Sequence, residues 1–224
     1  MYLSRLILNP RTRRVQRELA EPYEMHRSIL RAFPAALPQG ERMLFRVDEL
    51  PKYNAPALLV QSVTIPDWSW LAEDDGARGY LLPVPEPNPA VKPFDLKLVA
   101  GQALGFRLRA NPTVKKDTDD GRSVRRGLLT EDEQMKWLAR KAEAGGFSVL
   151  SVNIAREGKV GGDIHRTNDE TGKKEALDLT LLAVRFDGVL QVTDSAKLIA
   201  AAETGIGSAK GFGFGLLSLA PAPS

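Results

Sequence analysis

The sequence contains no cysteine and only two histidines, His26 and His165. Without cysteine, the 224-residue chain cannot form a disulfide, a zinc ribbon or a thiolate nucleophile. The two histidines lie far apart, and no His, Asp or Glu cluster has the spacing of a metal site. No GxSxG-type elbow supports a serine-histidine-acid triad. The sequence therefore predicts a protein that uses neither a metal nor a small-molecule cofactor.

Long apolar runs are also missing. No stretch approaches the ~18 apolar residues that a membrane-spanning helix needs. The apolar run at the N-terminus is short and arginines follow it, which reverses the order of a secretory signal. Together with the lack of cysteine, these features predict a soluble protein of the cytoplasm with no membrane partner.

What is present is the composition of a globular protein, with 43% hydrophobic and 26% charged residues. The net charge of +3 allows nucleic acid or an acidic surface as a partner without requiring either. A length of 224 residues is compatible with one large domain or with two ordinary domains.

The first half of the chain predicts the order strand, helix, strand, strand, short helix, strand. Alternating β-forming residues indicate the strands, and apolar residues three and four apart indicate the longer helix. Five prolines between Gly79 and Pro93 leave room only for a short last strand and mark a linker. These elements fall, in order, at residues 2–8, 22–33, 43–50, 57–65, 67–71 and within 79–93.

The second half repeats this order of elements without a visible residue-level repeat. Thr130 and Glu133 form a capping box, which predicts a helix that runs to a stop at Gly145-Gly146. Asp194 is the expected cap of a second helix. The strands are predicted at residues 102–110, 147–155, 177–192 and 211–219, and the second helix at 195–203.

Two such units in tandem predict an α+β fold of two ferredoxin-like (RRM-like) domains. Each would be a four-stranded antiparallel sheet with helices on one face, the first at residues 1–95 and the second at 96–224. One larger α+β domain is the alternative, because the short helix near Asp67 could instead be a loop.

The first candidate for chemistry is the segment Tyr23-Glu24-Met25-His26-Arg27. Positions three apart share a helix face, so Tyr23 and His26 can converge on one ligand while Arg27 and Arg31 form a basic row beside them. A histidine titrates near neutral pH and could move the protons of RNA phosphodiester cleavage. On the residues alone, a partly buried packing histidine beside an exposed arginine is the favoured interpretation.

The second candidate is the segment from Gly205 to Gly215, which has five glycines in eleven residues around Lys210. Such a backbone can approach a phosphate chain closely and offer amide donors, with Gly207, Ser208, Lys210 and Gly211 as the candidate contacts. The order of residues fits neither a P-loop nor a dinucleotide fingerprint. The alternative is a tight connection from helix to strand.

The third candidate is a set of basic residues in two predicted loops. The first follows the strand at 102–110, and the second is a long glycine-rich connection that could reach a groove or the phosphates of an RNA stem. Acidic residues are interspersed, and a solvated, mobile loop is the favoured interpretation on the residues alone. The cations are Lys115, Lys116, Arg122, Arg125 and Arg126 in the first loop, and Arg156, Lys159, Arg166, Lys173 and Lys174 in the second.

Five segments, taken together, resemble the CasE family of type I-E CRISPR interference complexes, within the repeat-associated RNA-processing superfamily. They occur in both halves in the order that this family has. The segments are MYLSRLILNP at the start, YEMHR from residue 23, FRLRANPT from 106, VRFDGVLQVTD from 184 and GIGSAKGFGFGLLSLAP from 205.

The resemblance implies a tandem ferredoxin-like endoribonuclease that binds the stem-loop of CRISPR repeat RNA. The cut would be a metal-independent attack by a 2′-hydroxyl that leaves a 2′,3′-cyclic phosphate and a 5′-hydroxyl. The product would stay bound, with other Cascade subunits, above all the backbone subunit, as partners. The resemblance assigns catalysis to His26, assisted by Tyr23.

The residues with an implied RNA-binding role form a longer set. Lys115 and Lys116 are added to it as basic residues of the first loop. The full set is Arg27, Arg31, Lys115, Lys116, Arg156, Lys159, Arg166, Gly207, Ser208, Lys210 and Gly211.

Two other functions are compatible with the same residues. A non-catalytic subunit could hold guide RNA while His26 only packs, and it would bind hairpin RNA without cutting it. A small-molecule phosphotransfer enzyme could use the glycine-rich segment, and it would bind nucleotide and need magnesium.

Overall fold

The computed structural model describes residues 1–117, 123–167 and 174–222. The chain divides into two compact units. The first contains Met1–Asp95, Val160–Thr180 and Gly211–Gly213, and the second contains Leu96–Lys159, Leu181–Lys210 and Phe214–Ser224. That residues 1–95 and 96–224 fold independently as two domains stays a prediction.

The first unit is built on a four-stranded antiparallel sheet. Its elements are β1 (Tyr2–Ile7), α1 (Arg13–Ala20), α2 (Pro22–Leu30), β2 (Leu44–Leu50), β3 (Ala55–Ser62), α3 (Trp70–Glu73) and β4 (Ala90–Pro93), with short 3-10 helices at Pro51–Tyr53 and Asp75–Ala77. The strand order is β2-β3-β1-β4. Because the first and third strands lie in the centre, this is the ferredoxin-like order, as the sequence predicted.

The helix α2 buries the apolar stripe that its spacing predicts. Met25 and Ile29 are each 1% exposed, and they belong to one core cluster with Phe45 of β2 and Val60 of β3. Burying a side chain of this size contributes about 1.5–3 kcal/mol relative to leaving it in water. Pro22 stands in the first turn, where its missing N–H costs no helical hydrogen bond.

A buried carboxylate ties α1 to α2. Glu18 is 1% exposed and accepts hydrogen bonds from the Ser28 hydroxyl at 2.6 Å, the Tyr80 hydroxyl at 2.6 Å and the Arg14 Nε at 2.9 Å. Burial, with the Glu18 carboxylate next to it, raises the pKa of Tyr80 far above its usual range. Sequence reasoning missed α1, because one of its buried positions is this charged residue and no apolar stripe marks it.

The second unit repeats the architecture and adds a hairpin. Its elements are β5 (Ala103–Ala110), β6 (Thr113–Asp117), β7 (Ser123–Gly127), α4 (Glu131–Ala144), β8 (Phe147–Thr167), β9 (Lys174–Val192), α5 (Ser195–Thr204) and β10 (Leu217–Pro221), where β8 and β9 run on into the first unit. The main sheet has the order β10-β5-β9-β8, which is again ferredoxin-like, and β6 and β7 form a separate two-stranded sheet. The predicted fold class is therefore confirmed for both units.

Two helix caps are confirmed in the second unit. The Thr130 hydroxyl accepts from the Glu133 amide at 3.3 Å, and the Glu133 carboxylate accepts from the Thr130 amide at 3.2 Å. The Asp194 carboxylate accepts from the Lys197 amide at 3.0 Å. The two capped helices pack Leu138 and Leu198, both fully buried, into one core cluster with Phe186.

Three predictions for the second half of the chain were wrong. The last strand was expected from residue 211, but it begins at Leu217, because left-handed backbone at Gly213 (φ 78°) and Gly215 (φ 92°) interrupts extended structure. The first basic loop is largely the β6–β7 hairpin. The second basic loop was expected between the strands at 147–155 and 177–192. Instead, β8 continues to Thr167 and β9 begins at Lys174, because these two strands pair as neighbours in the sheet.

Some predicted cations cannot be placed. Arg122 and Lys173 lie outside the described residues, and the side chains of His165, Arg166 and Lys174 lie outside the description as well. In the part of the chain that the structure describes, no helix combines the length and apolarity that crossing a membrane requires.

Candidate active site

The first unit brings Tyr23 and His26 together on α2. Their positions three apart in the helix put the two rings on one side of it, with ring centroids 5.9 Å apart and planes inclined by 34°. Both side chains are half-buried, so each keeps an edge in contact with solvent. The helical spacing thus produces the local pair that the sequence predicts.

The glycine-rich segment meets this pair within the same unit. Phe212 is buried and stacks on Tyr23 with centroids 5.5 Å apart. A Cβ placed on Gly211 would lie 3.5 Å from Cδ2 and 3.7 Å from Nε2 of His26, and 3.7 Å from Cε2 of Tyr23. The Gly211 backbone therefore passes in contact with both rings, and its missing side chain keeps space open beside the imidazole Nε2.

The inner side of the His26 ring is apolar. The ring stacks on Phe45 with centroids 6.1 Å apart and planes inclined by 17°. Its Nδ1 is buried and has no hydrogen-bond partner among the described residues. Desolvation by burial lowers the pKa of His26 below its ordinary value. A proton added at Nδ1 would have no acceptor, so this environment favours the neutral imidazole at pH 7.

This environment makes a testable prediction about titration. In a His165→Gln variant, His26 is the sole imidazole, and its NMR titration midpoint is expected below pH 6.5. The unfolded chain then binds more protons than the folded one as pH falls below about 6.5, so stability falls over the window down to the folded pKa. The same chain in denaturant should titrate near 6.5, and a folded midpoint at or above that value would contradict the burial argument.

The two predicted arginines of this region differ in how they are held. The Arg27 side chain is 65% exposed and donates to Glu24 at 2.9 Å. Arg31 follows α2, donates to Asp74 at 2.6 Å and lies with its Cζ 4.2 Å from the centroid of the Trp70 ring. Arg31 is therefore fixed in orientation, whereas the exposed Arg27 can reach a ligand by giving up one surface ion pair of small energy.

Apart from Arg166, which belongs to the first unit, the remaining predicted residues lie in the second unit. Gly207 has φ 91°, and a Cβ placed there would lie 3.2 Å from the Trp137 ring, so it packs tightly against α4. Ser208 and Lys210 are half-buried in the same connection. The exposed cations on strands are Lys115 and Lys116 of β6 and Arg156 and Lys159 of β8.

Several contributors to the site were not identified from the sequence. Phe212 and Phe45 enclose Tyr23 and His26, and Asp74 with Trp70 orients Arg31. The repeated Gly-Phe pairs after Lys210 could have drawn attention to Phe212. No local sequence pattern, however, indicates that Phe212 contacts α2. No group of three His, Asp or Glu residues that could hold a metal occurs among the described residues.

Comparison with known proteins gives a consistent set of similarities. Residues 1–221 match the model of a family described as CRISPR associated protein. A relative from Thermus thermophilus, named CRISPR-associated endoribonuclease Cse3, is 40% identical over 228 residues that cover 99% of this chain and 100% of the relative. A relative from Escherichia coli, named CRISPR system Cascade subunit CasE, is 31% identical over 229 residues with the same coverage.

The similarity extends to three dimensions. A solved structure described as CRISPR endoribonuclease Cse3 bound to 19 nt RNA superposes with a TM-score of 0.78 and 39% identity. The match covers 99% of this chain and 100% of that one. The relative aligns over both units, so the likeness is not confined to one of them.

Proposed function

This chain belongs to the CRISPR-associated protein family, and from that membership we propose that it is an endoribonuclease that binds the stem-loop of CRISPR repeat precursor RNA and cuts it to mature guide RNA. The observation that carries the proposal is the His26 imidazole, half-buried on α2 beside Tyr23 and in contact with the Gly211 backbone. The named activity of a relative that is 40% identical over the whole chain supports it.

The proposed reaction is attack by a ribose 2′-hydroxyl on the adjacent phosphate. One group takes the proton of the 2′-hydroxyl and another returns a proton to the departing 5′-oxygen, which leaves a 2′,3′-cyclic phosphate and a 5′-hydroxyl. His26 and Tyr23 are assigned to this proton transfer. Such assistance typically contributes about 10²–10⁴ in rate. The lowered pKa of His26 supports a neutral ring that is ready to exchange a proton at pH 7.

The contacts with RNA are assigned to basic residues and to the glycine-rich segment. Arg27 is assigned to offset charge on the reacting phosphate, and its exposure one residue after His26 supports this assignment. Lys210 adjoins Gly211 in sequence and is assigned to a neighbouring phosphate, together with Gly207 and Ser208. Arg156, Lys159 and Arg166 are assigned to the RNA stem.

The product is proposed to remain bound after the cut. In this scheme the chain stays on the 3′ end of the guide RNA and works in the cytoplasm as a subunit of a Cascade complex. The relative named as a Cascade subunit supports this partner assignment.

Incubation with a CRISPR repeat hairpin in EDTA tests the reaction. We expect full cleavage in EDTA, a new 5′ end that polynucleotide kinase labels directly, and a 3′ end that resists ligation until the cyclic phosphate is opened and the resulting phosphate is removed. A hairpin with a single 2′-deoxyribose before the scissile phosphate should bind normally and stay uncut. Loss of cleavage in EDTA with recovery in magnesium would contradict the metal-independent reaction.

A further inference from the structure

We infer that the two-stranded ribbon formed by β6 (Thr113–Asp117) and β7 (Ser123–Gly127) binds the phosphate backbone of RNA through Lys115 and Arg125. The inference rests on the proposed function and adds a contact site in the second unit, whereas the predicted catalytic pair belongs to the first. Sequence reasoning assigned Lys115 and Lys116 to RNA as basic residues of the first loop, and it named Arg125 among the candidate cations of that loop without assigning it to RNA. The register of the ribbon separates these three residues.

The register places two like charges directly opposite each other. Lys115 pairs with Arg125 across the ribbon, whereas Lys116 faces Val124 and Val114 faces Arg126. Side chains alternate between the two faces of a strand, so Lys115 and Arg125 share one face and Lys116 and Arg126 the other. Like charges opposite each other destabilise an antiparallel pair. A ligand that carries negative charge removes this penalty.

The two faces of the ribbon also differ in how their charge is balanced. Arg126 donates to Glu133 of α4 at 2.9 Å. No carboxylate among the described residues pairs with Lys115 or Arg125, and both are exposed. Among the side chains that the structure describes, the Lys115–Arg125 face therefore presents two positive charges to solvent.

Arginines on the two main sheets, unlike Lys115 and Arg125, form ion pairs with carboxylates. Three of them, on the edge strand β2 and the central strand β5, each donate to a carboxylate of their own sheet. They are Arg107 with Asp187 at 2.5 Å, Arg109 with Glu157 at 2.7 Å and Arg46 with Asp48 at 2.8 Å. Lys115 and Arg125 lack such a carboxylate partner among the described residues. This difference favours a role in binding over a role in stabilising the fold.

The shape of the ribbon suits a chain of phosphates better than a small anion. It projects from the connection between β5 and α4 and forms a sheet of its own, about 17 Å long at five residues per strand. The Cβ atoms of directly opposite residues lie about 4.5–5.5 Å apart, so two long cationic side chains can reach the same phosphate or adjacent ones. Contacts of this kind add affinity that is independent of base sequence.

The test is a Lys115→Gln/Arg125→Gln double variant against a Lys136→Gln/Arg140→Gln control, which removes one exposed lysine and one exposed arginine from α4. The probe is the repeat hairpin with a single 2′-deoxyribose, so binding is measured without cleavage. We expect the ribbon variant to lose about tenfold in affinity at 150 mM salt and the slope of log affinity against log salt to shrink by about 1.5, which corresponds to two phosphate contacts. The α4 control should bind and cut the hairpin like the parent.

Three outcomes would overturn the ribbon site. These are an unchanged affinity and salt slope, an equal loss in the α4 control, and a fall in the saturated cleavage rate without a loss of affinity. Circular dichroism should match that of the parent, and the melting temperature should be equal or slightly higher, because the substituted side chains are exposed and their mutual repulsion is removed. Failure of the parent protein to bind or cut the hairpin would instead refute the proposed function, so the two failures are distinguishable.

Discussion

Replacing His26 by alanine is expected to lower the single-turnover cleavage rate of repeat RNA by about 10²–10⁴-fold, which is the usual contribution of one general acid-base group. Binding of the uncut hairpin should change by less than a few fold, because the phosphate contacts are assigned to the cations and the glycine-rich segment. The side chain is half-buried against Phe45, so alanine removes packing as well as chemistry. Thermal melting must therefore accompany the rate measurement.

The matched control is His165→Ala, which removes the other imidazole of the chain. It should cut at the parental rate. A His26→Ala protein that still cuts would move the active site elsewhere, and a parent that binds without cutting would favour the non-catalytic RNA-binding alternative. A His26→Gln variant preserves more of the contact with Phe45 and separates loss of chemistry from loss of fold.

Replacing Gly188 by alanine is expected to destabilise the second unit by at least about 3 kcal/mol, at the upper end of what overpacking costs. Gly188 lies in β9 where the strand passes very close to β8. A Cβ there would overlap the carbonyl oxygen of Ser151 and lie 2.8 Å from the Cα of Val152. Both neighbours are backbone, so no side chain can move aside. The two strands would have to separate.

The matched control is Gly161→Ala in β8, where an added Cβ meets nothing within 4 Å. Denaturant unfolding of both variants checks the prediction, with a large fall in midpoint for Gly188→Ala and almost none for Gly161→Ala. Equal midpoints would show that the strands part at Gly188 without cost. Because Gly188 is outside the predicted site, folded Gly188→Ala protein should retain the parental saturated cleavage rate.

Local signals in the sequence were sufficient for most of the fold. The Thr130 and Glu133 capping box, the Asp194 cap and the apolar spacing around Met25 each depend on residues within one or two helical turns. The ferredoxin-like order then follows from the succession of strands and helices. The wrong predictions arose where local patterns are misleading. Helix α1 was not predicted because the charged residue Glu18 is buried in the core, and the last strand was predicted too early because the glycines of the Gly-Phe repeat adopt a left-handed backbone conformation.

The sequence by itself determined that Tyr23 and His26 share one helix face, because helical spacing is a property of neighbouring residues. It could not determine that Gly211 and Phe212 lie against those rings, or that Lys115 stands opposite Arg125 and not opposite a carboxylate. The first contact joins residues at opposite ends of the chain, and the second depends on strand register. Tertiary structure decided both, because such contacts depend on which strands pair and in what register, and no local preference of the backbone encodes that choice.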